Sequence, residues 1–411
     1  MTENNVRRVL REDGSDATQA PVSMSPESRK KAGSRKRSSS GSGGGGRSSG
    51  GGKGSPRRRS SRNRSSFNKF TLLVILAFLL VVAVLVIKVV SYIGGISRLK
   101  LSDEGFTHNK RYENCAKIKG IDVSEFQDEI NWKKVKSSGA DFVFIRAGFR
   151  SMETGELKED ADFRDNIKAA DKSDIMVGAY IFSQAINKKE AEEEAEYLMD
   201  LVKRYDIDMP LVIDYELISG GRLEKAVTSG DLFAAGQFND IVEAFCRRVE
   251  EEGYESAIYG NYDMFTNYMD ATLIDENNNL WAAQYGGSCD VKADYWFWQA
   301  TDSAKLDGIS GGVDMDFWYL EPGKVHPTRA KGKKKQTSIG KCEVEFEDDT
   351  AKLKNHRAVP DIKVRYDGKK LRKGRDYEVS YVQNTEKGTG YAVIRGIRKY
   401  KNWTAVPFTI E

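Results

Sequence analysis

From Lys117 to Leu320 short apolar runs alternate with amphipathic stretches, and no other feature restricts the fold of this chain so tightly. Candidate strands lie at 118–123, 142–147, 176–182, 211–215, 256–259, 280–284, 295–299 and 313–319. Helical patterns at 131–138, 161–172, 188–205 and 231–252 separate the first five. Strands joined by helical crossovers must run parallel. Eight of them in about two hundred residues predict an α/β fold, an irregular TIM-like β/α barrel that has lost most helices from its last turns.

The remainder of the 411 residues divides by composition. Residues 1–66 hold Arg-Ser and Gly-Ser tracts with almost no large apolar side chains, the composition of a disordered basic tail. No aromatic residue precedes Phe67 to stack on bases, so nucleic acid is not an expected partner. Residues 67–92 contain an apolar run, 70–90, broken only by Lys88, long enough for a transmembrane helix. It exceeds a signal-peptide core, and no small-x-small cleavage site follows. Arg57 to Arg64 and Lys69 crowd its amino-terminal flank, so the positive-inside rule predicts a single-pass protein of the cell membrane with a cytoplasmic amino terminus. Everything after a linker at 93–116 is then extracellular, with the barrel at 117–322.

A basic linker at 323–339 leads to residues 340–411, whose alternating strand patterns predict a small all-β domain. Tyr366-Asp-Gly and Gly388-Thr-Gly-Tyr-Ala-Val-Ile-Arg-Gly396 in it resemble the Ig-like β modules that end many bacterial surface proteins. Because the linker has few apolar residues to fasten the two parts, they are expected to fold independently. Cys115, Cys246, Cys289 and Cys342 lie where disulfides can form, without a pairing that can be deduced. Cys246 falls in a helical run and reads as a small buried hydrophobe. With no Cys-x-x-Cys spacing and only His108, His326 and His356, neither a metal centre nor any other cofactor is expected.

Carboxylates remain as the chemistry. Residues two apart on a strand face the same way, so Asp214 and Glu216 in Val212-Ile-Asp-Tyr-Glu216 share a face with Cα atoms roughly 6.5–7 Å apart. Asp122 stands near the end of the first strand, and Asp314 begins the last. Side-by-side carboxyls titrate apart, one remaining a proton donor while its neighbour stays ionised, as cleavage at an acetal carbon requires.

These pieces recur in a recognisable order. Ile118-Lys-Gly-Ile-Asp-Val-Ser-Glu-Phe-Gln127 with Ile130-Asn-Trp132, Asp141-Phe-Val-Phe-Ile-Arg-Ala-Gly148, Val177-Gly-Ala-Tyr-Ile-Phe-Ser-Gln184, Val212-Ile-Asp-Tyr-Glu216, Ala257-Ile-Tyr-Gly-Asn261, Leu280-Trp-Ala-Ala-Gln-Tyr285, Phe297-Trp-Gln299 and Gly312-Val-Asp-Met-Asp316 resemble the successive motifs of the glycoside hydrolase family 25 lysozymes. The resemblance implies a barrel that cleaves the β-1,4 bond between N-acetylmuramic acid and N-acetylglucosamine in peptidoglycan, whose glycan strands would be its partner. It makes Glu216 the proton donor and Asp214 the group that orients or charge-stabilises the substrate's 2-acetamido group, with Asp122 and Asp314 completing the acidic cluster. Tyr180, Tyr259, Trp281, Tyr285 and Trp298 match rim aromatics that stack on sugars. Ile181 departs from the pattern, standing where many relatives carry histidine. The alternative from another class is a catalytically silent glycan-binding tether of the wall; four retained carboxylates weigh against it, since a tether gains nothing from a costly buried cluster.

Overall fold

The computed structural model describes residues 99–274, 279–324, 336–348 and 350–411. The tail and the span expected at 67–92 lie outside these residues, as does most of the linker. Among the described residues no helix is long and apolar enough to cross a membrane.

Eight strands close into a barrel in the order β1 (Ala116–Val123), β2 (Phe142–Arg150), β4 (Met176–Ser183), β5 (Leu211–Tyr215), β6 (Ser256–Asn261), β7 (Asn279–Ala283), β8 (Phe297–Ala304) and β9 (Val313–Leu320), which returns to β1. A short β3 (Leu157–Glu159) forms a hairpin with β2. Helices α1 (Trp132–Ser137), α2 (Phe163–Asp171), α3 (Lys188–Val202), α4 (Arg222–Ser229) and α5 (Ala235–Glu251) connect the first five barrel strands. Asn131 and Asn187 begin α1 and α3 by accepting backbone N–H groups of the first turn, and Gly230 ends α4 at φ 85°.

The strand–helix alternation predicts a wholly parallel barrel, but β9 runs antiparallel to both neighbours. With no helix between β8 and β9, the chain turns back through a short loop, which antiparallel strands allow and parallel ones do not. Helix α4 was not expected: eight residues beside glycines offer too little periodicity to read.

Side chains at alternate positions fill the barrel. Ala116, Ile118, Phe142, Phe144, Val212, Ala257, Trp281, Phe297 and Trp318 pack within it, while their neighbours join the larger apolar layer under the helices. Gly120 and Gly178 make room for the two phenyl rings: a Cβ on Gly120 would stand 2.5 Å from the Phe142 ring, and one on Gly178 2.4 Å from that of Phe144.

The carboxyl-terminal residues form an all-β module. β14 (Tyr377–Val382), β15 (Gly388–Gly396) and β16 (Trp403–Ile410) pair antiparallel, and β11 (Thr350–Ala351) adds in parallel to β16. A second sheet of β10 (Glu343–Phe346), β12 (Ile362–Tyr366) and β13 (Lys369–Lys370) packs over them through Val364, Leu371, Tyr377 and Ile394. The all-β character matches expectation; the finer likeness to Ig-like modules gains no support.

The expected independence of the two parts does not hold. The described residues from Leu99 to Glu411 form one compact unit. Val382, Tyr391, Val393, Trp403 and Ala405 of the module share one buried cluster with the barrel's lower interior. Trp403 meets Trp318 edge to face, ring centroids 6.0 Å apart, and the void beside them is only about 10 Å³. Around this contact Gln383 accepts the backbone N–H of Lys117 at 2.9 Å, and Arg395, lying over the Trp403 ring, pairs with Asp208. Burial holds the Asp208 carboxyl up at about 6 against the opposing pull of Arg395. The fastening is supplied by the faces themselves, which the composition of a linker could not reveal. All four cysteines are free thiols, Cys246 buried in the outer layer as expected.

Candidate active site

Parity and strand direction bring the acids together. On β1 the inward series Ala116, Ile118, Gly120 ends in Asp122 at the carboxyl end of the strand. Because β9 is antiparallel, its first residues lie at that same end, and Asp314 pairs directly across from Asp122. Asp316, one inward step deeper, is opposite both Gly120 and Gln299. Asp214 closes the inward series of β5, and Glu216 follows one residue beyond the strand. The expected Asp122, Asp214, Glu216 and Asp314 therefore share one mouth.

Hydrogen bonds fix the floor of this mouth. Gln299 donates to Asp122 Oδ2 at 2.7 Å, while its amide oxygen accepts the hydroxyls of Tyr259 and Tyr285, each at 2.9 Å. Trp281 donates its indole N–H to Asp316 Oδ1 at 2.8 Å. Gln299 and Asp316 were not singled out from the sequence, although both stand within motifs quoted above. The available signal was alternation: Asp-Met-Asp in a strand puts Asp316 on the same face as Asp314.

Beyond Glu216, the chain is fastened to the rest of the rim. The buried Gln184 accepts the N–H of Leu223 at 3.1 Å, and Arg222 donates to the Gln184 carbonyl at 3.0 Å and to Glu190 at 2.6 Å. The segment that follows the acid is thus held from both α3 and α4.

Removal from water dominates the electrostatics, since a buried carboxylate loses its hydration. Burial pushes Asp122 well above its ordinary range, and the charges of Asp314 and Asp316 push it further against the Gln299 hydrogen bond. Asp316 is raised by burial and by Asp314. Burial lifts Asp314 to about 7, with Asp302 adding like charge. Asp214 is raised by burial, by the charge of Glu216 and by the hydrogen bond between the two carboxyls, while Arg146 pulls the other way. Burial raises Glu216 too. Every one of these shifts favours the protonated carboxyl. Asp214 Oδ1 and Asp316 Oδ2 are buried acceptors without a partner.

The aromatic expectations fare unevenly. Tyr180, Tyr259 and Trp281 face inward but are 8%, 7% and 1% exposed, so they line the floor rather than the rim. Trp298 is fully buried on the outer side, packed against Phe106 and Phe317. Its neighbours Phe297 and Gln299 face inward, and strand parity turns it away. Tyr285, 43% exposed, alone presents its ring at the surface. Ile181 lies in the outer apolar layer, so the absence of histidine there removes nothing from the mouth.

Residues 121–309 match the family model of glycosyl hydrolases family 25. The chain is 26% identical over 200 residues to the autolytic lysozyme of Clostridium acetobutylicum, covering 48% of this chain and 55% of that protein. It is 27% identical over 206 residues to lysozyme M1 of Streptomyces globisporus, covering 48% and 67% respectively. The chain thus spans little more than half the length of the first of these relatives. A crystal structure of a bacterial lysozyme from Streptomyces coelicolor shares 24% identity, covering 49% of this chain and 91% of that one, with a TM-score of 0.41.

Proposed function

We infer that the barrel is a family 25 glycosyl hydrolase and that it acts as a lysozyme on cell-wall peptidoglycan, hydrolysing the β-1,4 bond between N-acetylmuramic acid and N-acetylglucosamine. The observation that carries this is the mutually hydrogen-bonded Asp214–Glu216 pair at the open end of the barrel, where burial raises both carboxyls and so favours the form that holds a proton. Glu216 is half-buried and lies past the strand, where it can reach a glycosidic oxygen. Asp214 is deeper, 7% exposed, with Oδ1 lacking a donor. A substrate acetamido N–H donating to that oxygen stabilises the Asp214 anion. The shared proton then passes along the hydrogen bond to Glu216, which delivers it to the leaving oxygen as positive charge develops at the anomeric carbon. Asp314 opposes premature loss of that proton, since additional negative charge at the mouth disfavours ionisation of Asp214.

The same reading places the enzyme at the membrane, tethered through residues 67–92 with the barrel outside, where the wall is. Digesting purified peptidoglycan and identifying the new reducing ends by mass spectrometry tests the activity. N-acetylmuramic acid ends are expected; N-acetylglucosamine ends alone, or no glycan cleavage, would overturn the assignment.

A further inference from the structure

Four aromatic side chains are exposed among the described residues: Phe126, Phe233, Tyr262 and Tyr285. All four belong to one end of the barrel. Phe126 follows β1, Tyr262 directly follows β6 and Tyr285 follows β7, while Phe233 precedes the first turn of α5, the helix whose other end feeds the start of β6. Scattered exposed aromatics are ordinary; their confinement to the carboxylate end is not.

The closed strand order sharpens this. Counting around the barrel as β1, β2, β4, β5, β6, β7, β8, β9, the strand β6 lies diametrically opposite β1. Phe126 and Tyr262 therefore stand on opposite sides of the mouth that holds Asp214 and Glu216. Tyr285 follows β7, the neighbour of β6, and is tied to the floor through Gln299.

Phe126 is also held rigidly. It is 50% exposed, yet the Arg146 guanidinium lies over its ring at 4.8 Å from the centroid. Arg146 is locked by Glu125 at 2.9 Å and by the buried Asp160 at 2.8 Å, and Asp160 also accepts the Glu125 backbone N–H at 3.1 Å. The turn is capped by Ser124 and Gln127. Arg146 is the same cation whose charge draws down Asp214. A ring stiffened by a cation on one face, with half its surface open, offers a flat apolar seat at little cost in side-chain entropy.

We propose that Phe126 and Tyr262 are sugar seats on the two sides of the scissile bond, so that the site grips a glycan strand laid across the mouth and cuts within it. The C–H face of a pyranose supplies the apolar surface that such a ring takes. This rests on the glycan-cleaving reading above and adds residues that no expected aromatic occupied. It further implies that the smallest fragments, too short to span both seats, are poor substrates.

The test separates binding from catalysis. In the full chain carrying Glu216→Gln, the affinity for a six-sugar, peptide-free oligomer of alternating N-acetylglucosamine and N-acetylmuramic acid is measured by calorimetry and compared with that for the two-sugar unit. Adding Phe126→Ala or Tyr262→Ala is expected to weaken six-sugar binding roughly tenfold, the loss of one aromatic contact, with Phe126→Tyr restoring it. In the catalytically intact chain, Phe126→Ala should lower kcat/KM on long strands more than on short ones. Unchanged six-sugar affinity in both alanine variants, or absence of any six-sugar binding, overturns the seats. Binding that depends on Phe126 without any cleavage by the intact chain would instead leave the seats standing and overturn the lysozyme reading.

Discussion

The two ends of the barrel are built from the same strands and treated in opposite ways. At the amino-terminal end Phe142, Trp318 and Leu320 meet Trp403 and Val393 of the module, with a void of about 10 Å³. At the carboxyl-terminal end five carboxyl groups converge, and two buried acceptors remain without partners. One end is closed by apolar burial, which stabilises; the other accumulates desolvated acids, which cost stability and supply chemistry. The module thus offsets part of what the mouth costs. A barrel with a destabilising open end gains from having its other end sealed by a second folded part.

The largest effect is expected from ending the chain at residue 324. The lower interior would then face water, a loss exceeding the ~3–5 kcal/mol of a single Trp→Ala change and large against a total of ~5–15 kcal/mol. The shortened chain should bind hydrophobic dye and lose a cooperative melt. A melt within a few degrees of the full chain would mean that the module does not seal the barrel.

At the other end, Glu216→Gln should slow glycan cleavage by about 10²- to 10⁴-fold while circular dichroism and melting stay near the parent values. Rates near those of the parent would remove Glu216 from the proton-donor role.

A smaller effect is expected from Arg395→Ala, which leaves Asp208 buried without its cation at the seal, for at most ~3–5 kcal/mol. The sign with pH follows from the raised carboxyl. Below about 6 Asp208 can be neutral, and losing Arg395 matters little; above it the unpaired charge must stay buried or take a proton. The difference in melting temperature between variant and parent should therefore widen from pH 5 to pH 8. A constant difference would show that Arg395 acts through packing on Trp403.

The subtlest test is Asp314→Asn. Asp314 ionises near 7 and raises Asp122, Asp316 and, more weakly, Asp214. Removing that charge lowers their proton affinity, so the alkaline limb of the activity profile should move to lower pH. A limb that moves upward or not at all would contradict electrostatic coupling across the mouth.

Much of the fold was legible because it repeats. Eight short apolar runs matched eight strands within a few residues at most ends, and strand parity put Asp122, Asp214 and Glu216 on inward positions. The same parity, applied to Trp298 beside Gln299, would have turned that tryptophan outward. Tyr180, Tyr259 and Trp281 were expected at the rim because the family resemblance matched them to rim aromatics; depth along the strand decides between floor and rim, and a matched motif carries no depth. Phe126 was passed over for the converse reason, since a turn residue has no period to reveal it.

By itself the sequence determined the alternation of elements, the inward face of each strand and the residue types that can hold protons there, because backbone geometry ties each of these to local spacing. Only the tertiary structure decided that β9 runs antiparallel, bringing Asp314 across from Asp122, and that Trp403 closes the far end of the barrel. It also decided how far each carboxyl is raised. Those properties depend on which distant segments exclude water from one another, and that exclusion exists only once the chain is packed.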